Sequence, residues 1–279
     1  MYPSIPLSQP EEHFYQYSHL HGLPPFRIWG NLYYVGDDNV GIHLIDTGEG
    51  LILIDTGYPE MQGWLIQSIW QLGFRPEQIK YIIHTHYHFD HVGSTNFLKQ
   101  LAPNVRLCMS QTDAQWMERE PALIFADCHA WDYECFVKPD WLLNDGDEII
   151  LGKTRLWVKA APGHTPGTLA VFCTVTDGET EKIAGLHGGL GANTLSRAFM
   201  DKYGLGHLRA AFEAQMLRLM NEPVDIILGN HTKQIDFLAR RQKLLEDPEG
   251  PNPFVDKNAW KELLSRYLQD FYTLCKNDP

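Results

Sequence analysis

The marks of an exported or membrane protein are missing from this sequence of 279 residues. Its first 25 residues lack the basic start and the apolar core of a signal peptide. No stretch approaches the roughly 20 consecutive apolar residues that a membrane-spanning helix needs. From these absences we expect a cytoplasmic protein that has no membrane partner.

The sequence also lacks the closely spaced cysteine pairs that are typical of disulfide or metal motifs. The five cysteines are odd in number and none of them forms a CxxC pair, so reduced thiols are expected. Cys128 and Cys135 are candidates for a disulfide or a metal site, but isolated structural thiols are the favoured interpretation.

No Ser/Gly tract, charge block or low-complexity run divides the chain. With 44% hydrophobic residues it can build one large domain. We therefore expect an irregular N-terminal arm over residues 1–25 and a single domain over residues 26–279. The net charge of −12 argues against nucleic acid or an anionic membrane as a partner, and the sequence carries no signal for an oligomeric state.

What the chain does contain is a dense group of histidines after an apolar run. Residues 79–83 predict a short buried strand. The polar residues that follow it are His84, His86, His88, Asp90 and His91. Gly93 and Ser94 come next, and then apolar residues with the spacing of a helix. The polar group therefore lies on a strand-to-helix loop, where a sheet commonly presents its chemistry.

Imidazole and carboxylate together suit zinc and neighbouring first-row metals. In an extended segment His86, His88 and Asp90 point to one side, while His91 points away unless the loop curls. One ion does not need so many ligands, but two ions can share them, with His86 and His88 on one and Asp90 and His91 on the other. A polar loop without a metal is the alternative, and the density of ligand types disfavours it.

The spacing His86-x-His88-x-Asp90-His91 resembles the signature of the metallo-β-lactamase superfamily. Other similar motifs follow in the expected order: Asp55-Thr56-Gly57, Gly163-His164-Thr165-Pro166-Gly167 and Leu228-Gly229-Asn230-His231. Segments such as Asn31 to Gly36 and Asp145 to Ile149 are most similar to the third-subclass enzymes of that superfamily. The resemblance runs from about residue 25 to about residue 255.

The resemblance implies an α+β fold, the four-layer αβ/βα sandwich in which two mixed β-sheets pack face to face with helices outside. It also implies two Zn²⁺ ions, the first held by His86, His88 and His164 and the second by Asp90, His91 and His231. Asp55 is expected to stand behind the ligands and orient a ligating histidine. A metal-bound hydroxide is expected to attack the carbonyl of a small-molecule substrate, with Asp90 as a catalytic residue that also accepts or delivers a proton.

One stretch departs from many relatives, because residues 183–187 supply neither the Asp nor the Cys that several groups use as a ligand there. Third-subclass enzymes also lack that ligand, but they usually carry serines in this stretch that position a substrate carboxylate. This chain has Leu186 and His187 instead, and we expect them, with Tyr58, to contact the substrate. His84 is expected to pack behind the site.

Hydrophobic spacing predicts the remaining elements. Helices are predicted over residues 61–72, 112–118, 205–220, 235–245 and 258–274, and strands over residues 27–35, 105–109, 148–151, 154–159, 169–175 and 224–228. Thr112 is a candidate N-cap. The aromatic-rich residues 120–140 are either a lid over the metals or packing against the core.

The favoured function is a zinc-dependent hydrolase that acts on an amide or ester carbonyl, the β-lactam ring included. A lactonase, thioesterase or other esterase with the same site is the first alternative. A non-heme di-iron redox protein of the same fold is the second, although His88 stands where such proteins typically have Glu. A metal-binding module without activity is the third.

Overall fold

A computed structural model describes residues 18–125 and 135–279. Its twelve strands are β1 (Phe26–Trp29), β2 (Leu32–Tyr34), β3 (His43–Asp46), β4 (Leu51–Ile54), β5 (Ile79–Ile83), β6 (Arg106–Ser110), β7 (Trp141–Leu143), β8 (Glu148–Leu151), β9 (Thr154–Ala160), β10 (Leu169–Thr176), β11 (Glu181–His187) and β12 (Ile226–Gly229). The described α-helices are α1 (Gln62–Gln71), α2 (Phe89–Val92), α3 (Thr95–Leu101), α4 (Gln111–Arg119), α5 (Arg197–Tyr203), α6 (Leu208–Leu219), α7 (Phe237–Glu246) and α8 (Ala259–Asn277).

The strands form two mixed sheets. The first has the order β1-β2-β3-β4-β5-β6-β7, antiparallel up to β4 and parallel from β4 to β7. The second has the order β12-β11-β10-β9-β8, and only its β11–β12 pair is parallel. Because β4 and β5 run in parallel, Asp55 and His84, which follow them, lie at the same edge of the first sheet.

Both faces of the central strands are covered, which explains their unbroken apolar runs. In β4 all four residues are buried, and alternate side chains enter different apolar layers. Ile52 and Ile54 join the layer shared with the second sheet, whereas Leu51 and Leu53 join the layer beneath α1, α3 and α4. On the outer face of the second sheet, the Trp260 ring of α8 meets Phe172 of β10 edge-on, with their centroids 5.4 Å apart.

These layers confirm the predicted sandwich of two mixed sheets with helices outside. The predicted helices and strands are present with shifted ends, apart from the strand predicted over residues 27–35. That segment is a hairpin, because Gly30 turns the chain with a φ of +52° and packs against Thr176 O, where a Cβ would come within 2.4 Å.

A second boundary also differs from the prediction. Ser110, not Thr112, caps α4, and its hydroxyl accepts the backbone N–H of Asp113 at 3.0 Å. Residues 121–125 form a 3₁₀ turn, while residues 126–134 of the predicted lid lie outside the described residues. The lid therefore remains a prediction.

Most of the predicted N-terminal arm, residues 1–17, lies outside the described residues. Residues 21–23 are joined to the domain, since His21 Nδ1 lies 2.9 Å from Asp38 Oδ1 and Trp64 Nε1 donates to Leu23 O at 3.2 Å. Within the described ranges, none of the helices has the length and apolar character needed to cross a membrane. The division into arm and single domain stays a prediction.

Candidate metal centre

The predicted ligands meet at one end of the two sheets. The loop after β5 supplies His86, His88, Asp90 and His91, the loop between β9 and β10 supplies His164, and the residue two after β12 is His231. A bridge between Val40 and His231 joins the two sheets at this end. The fold thus brings together residues that are up to 145 positions apart in the chain.

A first triad is formed by His86, His88 and His164, whose ring nitrogens lie within 4.8 Å of one another. His88 Nδ1 and His164 Nε2 are 3.0 Å apart. His86 Nε2 is buried and has no hydrogen-bond partner among the described residues. A buried nitrogen without a partner is costly, and a metal ion would satisfy it.

A second triad is formed by Asp90, His91 and His231. Asp90 Oδ2 lies 3.3 Å from His91 Nε2 and 3.4 Å from His231 Nε2, and the two nitrogens are 3.4 Å apart. A tetrahedral zinc site with ligand distances of about 2.0–2.1 Å separates its ligand atoms by about 3.3 Å. The second triad therefore has the size of one face of such a site. His86 also groups with Asp90 and His91 within 4.8 Å, so the two triads are adjacent.

His91 joins the cluster because the loop curls. Residues Phe89–Val92 form a single helical turn, in which His91 N donates to His88 O at 2.8 Å. The alternation expected of an extended segment ends at His88, and the turn places Asp90 and His91 together. The curl that His91 needs to join the other proposed ligands is therefore present.

Asp55 holds this loop from behind. Its Oδ2 accepts His91 Nδ1–H at 2.9 Å and the Thr85 hydroxyl at 2.8 Å, and its Oδ1 accepts Thr85 N–H at 2.8 Å. The hydroxyl of Thr85 lies 3.0 Å from His86 Nδ1. Asp55 is fully buried and has a φ of +61°, a left-handed conformation that is uncommon outside glycine. Asp55 therefore contacts His91 and Thr85 together, while its role in orienting metal ligands stays a prediction.

Two further groups orient ligands and were not found from the sequence. Asn39 Oδ1 lies 3.4 Å from His231 Nδ1, and the Gly191 carbonyl lies 3.1 Å from His164 Nδ1. Both contacts leave Nε2 of the histidine facing its triad. No motif marks either residue, because each contact joins segments that are distant in the chain.

Burial sets the protonation of the first triad. It lowers the pKa of His86 and of His88 well below the ordinary value, with neighbouring histidines adding to the effect, and it lowers the pKa of His164 to about 4. These rings are therefore neutral at pH 7, which is the form that binds a metal.

The second triad differs because it contains a carboxylate. Burial by itself would raise the pKa of Asp90, but His91 and His231 hold it well below the ordinary value. Burial by itself would lower the pKa of His91, but Asp90 and Asp55 raise it to about 10. An ion that binds here must displace the proton of His91.

The residues fit a pair of divalent ions. Each triad offers three ligand atoms, and the ring nitrogens Nδ1 of His86, His91, His164 and His231 all face other groups. His86, His88 and His91 form a buried floor, while Asp90, His164 and His231 are partly exposed. Among the described residues of this cluster, the side open to solvent is therefore the rim formed by those three residues.

The predicted substrate contacts are placed less favourably. Leu186 is fully buried in the core, and His187 is 1% exposed, with Nε2 3.2 Å from Gln215 Oε1 on α6. Both side chains lie beneath the site rather than at its surface, because β11 is covered on both faces. We therefore do not retain them as substrate contacts.

Tyr58 lies beside the site, where its hydroxyl accepts Asn39 Nδ2–H at 2.8 Å. His84 is buried behind the loop, with Nε2 3.3 Å from Thr95 Oγ1, as expected.

A cavity of about 400 Å³ lies elsewhere, at the turn end of the β3–β4 hairpin. It is lined by Arg27, Lys153, Asp46 and neighbouring polar residues and contains none of the proposed ligands. Since β4 runs from this turn to Asp55, the cavity is at the far edge of the sheet from the metal centre.

Comparisons with known proteins agree with this geometry. The chain is similar to the solved structure of BJP-1, a subclass B3 metallo-β-lactamase of Bradyrhizobium japonicum, with 27% identity, a TM-score of 0.78 and coverage of 92% of this chain and 96% of that one. The predicted likeness to the third subclass is confirmed.

Similarity to curated proteins is more local. An N-acyl homoserine lactonase of Bacillus thuringiensis is 28% identical over 160 residues, which are 48% of this chain and 57% of the relative. The mitochondrial persulfide dioxygenase of Bos taurus is 29% identical over 101 residues, 36% of this chain and 30% of the relative. The chain thus spans less than two thirds of the length of these relatives.

The sequence profile described as "Metallo-beta-lactamase superfamily" matches residues 35–177, which contain Asp55, the histidine-rich loop and His164. The fold, the two ligand triads and this match agree, and the chain belongs to the metallo-β-lactamase superfamily.

Proposed function

We propose that this protein is a dinuclear zinc hydrolase that opens a cyclic amide or ester. The observation that carries the proposal is the second triad, whose ligand atoms are separated by 3.3–3.4 Å on all three sides. Its position beside the histidine triad supports two ions with overlapping surroundings.

Bound zinc supplies a water whose pKa is lowered to about 7 and polarises a carbonyl oxygen. The chain's own residues hold the ligating side chains in place and transfer the proton. His86, His88 and His91 form a buried floor, and the partly exposed Asp90, His164 and His231 form the side from which a substrate would approach. Asp55 keeps Nε2 of His91 pointed at the site by accepting a hydrogen bond from Nδ1–H.

Asp90 has two proposed roles. It is the only carboxylate among the six proposed ligands, so it offsets part of the charge of two dications. Its side chain is 14% exposed, so the carboxylate is accessible to accept a proton from the attacking water and pass it to the leaving group.

A β-lactam is one candidate substrate, because the match to BJP-1 covers nearly the whole of both chains. The stretch Gly188-Gly189-Leu190-Gly191 favours a lactone instead. It offers no hydroxyl to a substrate carboxylate, and a Cβ on Gly189 would come within 2.6 Å of the His164 ring. The lactonase relative agrees with that second candidate. A small-molecule substrate and a cytoplasmic location are part of the proposal.

The test is a substrate panel run on the zinc-loaded protein. A chromogenic cephalosporin, an N-acyl homoserine lactone and a thioester are compared at equal concentration, with a chelator-treated sample as control. Turnover that disappears with the chelator and returns with zinc supports the proposal. Tight binding of iron in place of zinc, together with no hydrolysis of any panel member, would favour the redox alternative to which the dioxygenase relative points.

A further inference from the structure

We propose that Asp113 is a positioning residue that holds the two loops of the first triad at the separation an ion requires. Asp113 lies in the first turn of α4 and is fully buried. It belongs to neither triad and is not in contact with a ligand side chain in the structure, so its effect must pass through the loops. The inference rests on the proposed assignment of His86, His88 and His164 to one ion.

The Asp113 carboxylate contacts both loops. Its Oδ1 accepts Gly167 N–H at 2.7 Å, and its Oδ2 accepts the Thr165 hydroxyl at 2.7 Å. Its carboxylate also accepts the backbone N–H of Tyr87. Tyr87 stands between His86 and His88, and Thr165 follows His164 directly. One side chain therefore joins the histidine-rich loop of the first sheet to the His164 loop of the second.

The fit around this carboxylate is close. A Cβ on Gly167 would lie 2.3 Å from Ser110 Oγ, 2.4 Å from Asp113 N and 2.6 Å from Asp113 Oδ1. The loop can rest on the start of α4 only because residue 167 is a glycine. Ser110 itself caps α4 by accepting Asp113 N–H, which fixes the position of the carboxylate along the helix.

The physical need for such a link comes from the ligands themselves. His88 Nδ1 and His164 Nε2 are 3.0 Å apart, and both must present a lone pair to the same ion. Two lone pairs at that distance repel, and the rings cannot hydrogen-bond to each other once neither of these nitrogens carries a proton. A link behind the rings keeps them close and leaves less ordering for the ion to impose.

Asp113→Asn tests the proposal through metal affinity. The amide retains one oxygen acceptor, so it cannot accept from Gly167 N–H and the Thr165 hydroxyl together, because these two groups donate to different oxygens of Asp113. Zinc affinity is measured by chelator competition, and the visible spectrum of the cobalt-loaded protein reports ligand geometry. We expect the affinity for the first ion to fall by about 10–100-fold, the usual loss when a group behind the ligands is removed. The second ion's affinity is expected to stay near the wild-type value.

Asp37→Asn is the matched control, because Asp37 is also a buried aspartate that accepts two backbone N–H groups, those of Asn39 and Val40, in another loop. It is expected to leave the first ion's affinity unchanged. Thr165→Val, which removes the hydroxyl, and Thr165→Ser, which keeps it, form a second pair. The valine variant is expected to bind the first ion more weakly, and the serine variant is expected to keep the wild-type affinity.

The results separate a failure of the proposed function from a failure of the proposed role of Asp113. If wild-type protein binds fewer than two ions, the proposed function fails. If wild-type protein binds two and Asp113→Asn binds both equally well, the role of Asp113 is overturned. An equal loss of affinity for both ions would also overturn it, since such a loss indicates a general loss of structure. Should Asp113→Asn fail to fold, the Thr165 pair decides: equal affinities in valine and serine variants reject the proposal.

Discussion

Asp55 Oδ2 accepts a hydrogen bond of 2.9 Å from His91 Nδ1, and both side chains are fully buried. The same oxygen also accepts the Thr85 hydroxyl, so one carboxylate is linked to a ligand of each proposed ion. Because asparagine tolerates a left-handed backbone, Asp55→Asn is expected to fold. The neutral amide no longer orients His91 as firmly, and we expect a loss of about 10–100-fold in zinc affinity or turnover.

Chelator competition measures that loss, with Asp46→Asn as the control. Asp46 caps the β3–β4 turn by accepting Gly48 N–H at 3.0 Å, at the other end of the hairpin. If Asp55→Asn behaves like Asp46→Asn, Asp55 is only a turn residue.

Metal stoichiometry tests the two triads. The wild-type protein is expected to bind two zinc ions per chain, as measured by elemental analysis after reconstitution and desalting. His231→Ala removes one ligand of the second triad and none of the first, and it is expected to lower the content to about one ion, since a structural or catalytic zinc site keeps at least three protein ligands. His207→Ala, which alters an exposed histidine, is the control. A wild-type value of one, with His231→Ala unchanged, contradicts the dinuclear site.

Asp90→Asn separates ligation from proton transfer. Asparagine keeps the size and one oxygen but loses the charge and the basicity. The second ion is expected to leave more readily than the first, because His86, His88 and His164 remain. At saturating zinc, turnover is still expected to be lower by about 10²–10⁴-fold, the usual contribution of general acid–base catalysis. Full recovery in excess zinc would show that Asp90 acts as a ligand only.

His43 is expected to make the folded state of the metal-free protein less stable in acid. It is fully buried, neither ring nitrogen has a hydrogen-bond partner among the described residues, and burial lowers its pKa to about 4. The unfolded chain binds a proton near pH 6.5, whereas the folded chain binds it only near pH 4. The folded state is therefore favoured above pH 6.5, and this contribution is lost as the pH falls from 6.5 toward 4.

His43→Leu removes this proton uptake and the two unpaired nitrogens. Urea unfolding of the chelator-treated protein between pH 4 and pH 7 is expected to show a pH dependence of the unfolding free energy that is smaller by up to one proton, about 1.4 kcal/mol per pH unit. His207→Leu, at an exposed position, is the comparison. Identical slopes for the wild type and His43→Leu would show that His43 does not titrate in this way.

Local patterns determined much of the fold and most of the proposed ligands. Apolar runs such as residues 79–83 and 169–175 predict their strands because the alternation and length of a strand are written in consecutive residues. His86, His88, Asp90 and His91 are recognisable for the same reason, since a loop of six residues contains them all. His164 and His231 required the family resemblance, because nothing next to them in the sequence shows that they join the cluster of histidines.

Only the tertiary structure decided how these residues are held. Asn39 is 192 positions from His231, and Asp113 is 52 positions from Thr165, so no local pattern reports either contact. Leu186 and His187 follow the pattern of a pocket edge in the sequence, yet helix α6 and the facing sheet bury them. The helical turn at Phe89–Val92, where His91 O accepts Thr56 N–H at 2.8 Å, brings His91 beside Asp90. Chemistry is carried by residue type and spacing, whereas orientation depends on packing between segments that are distant in the chain.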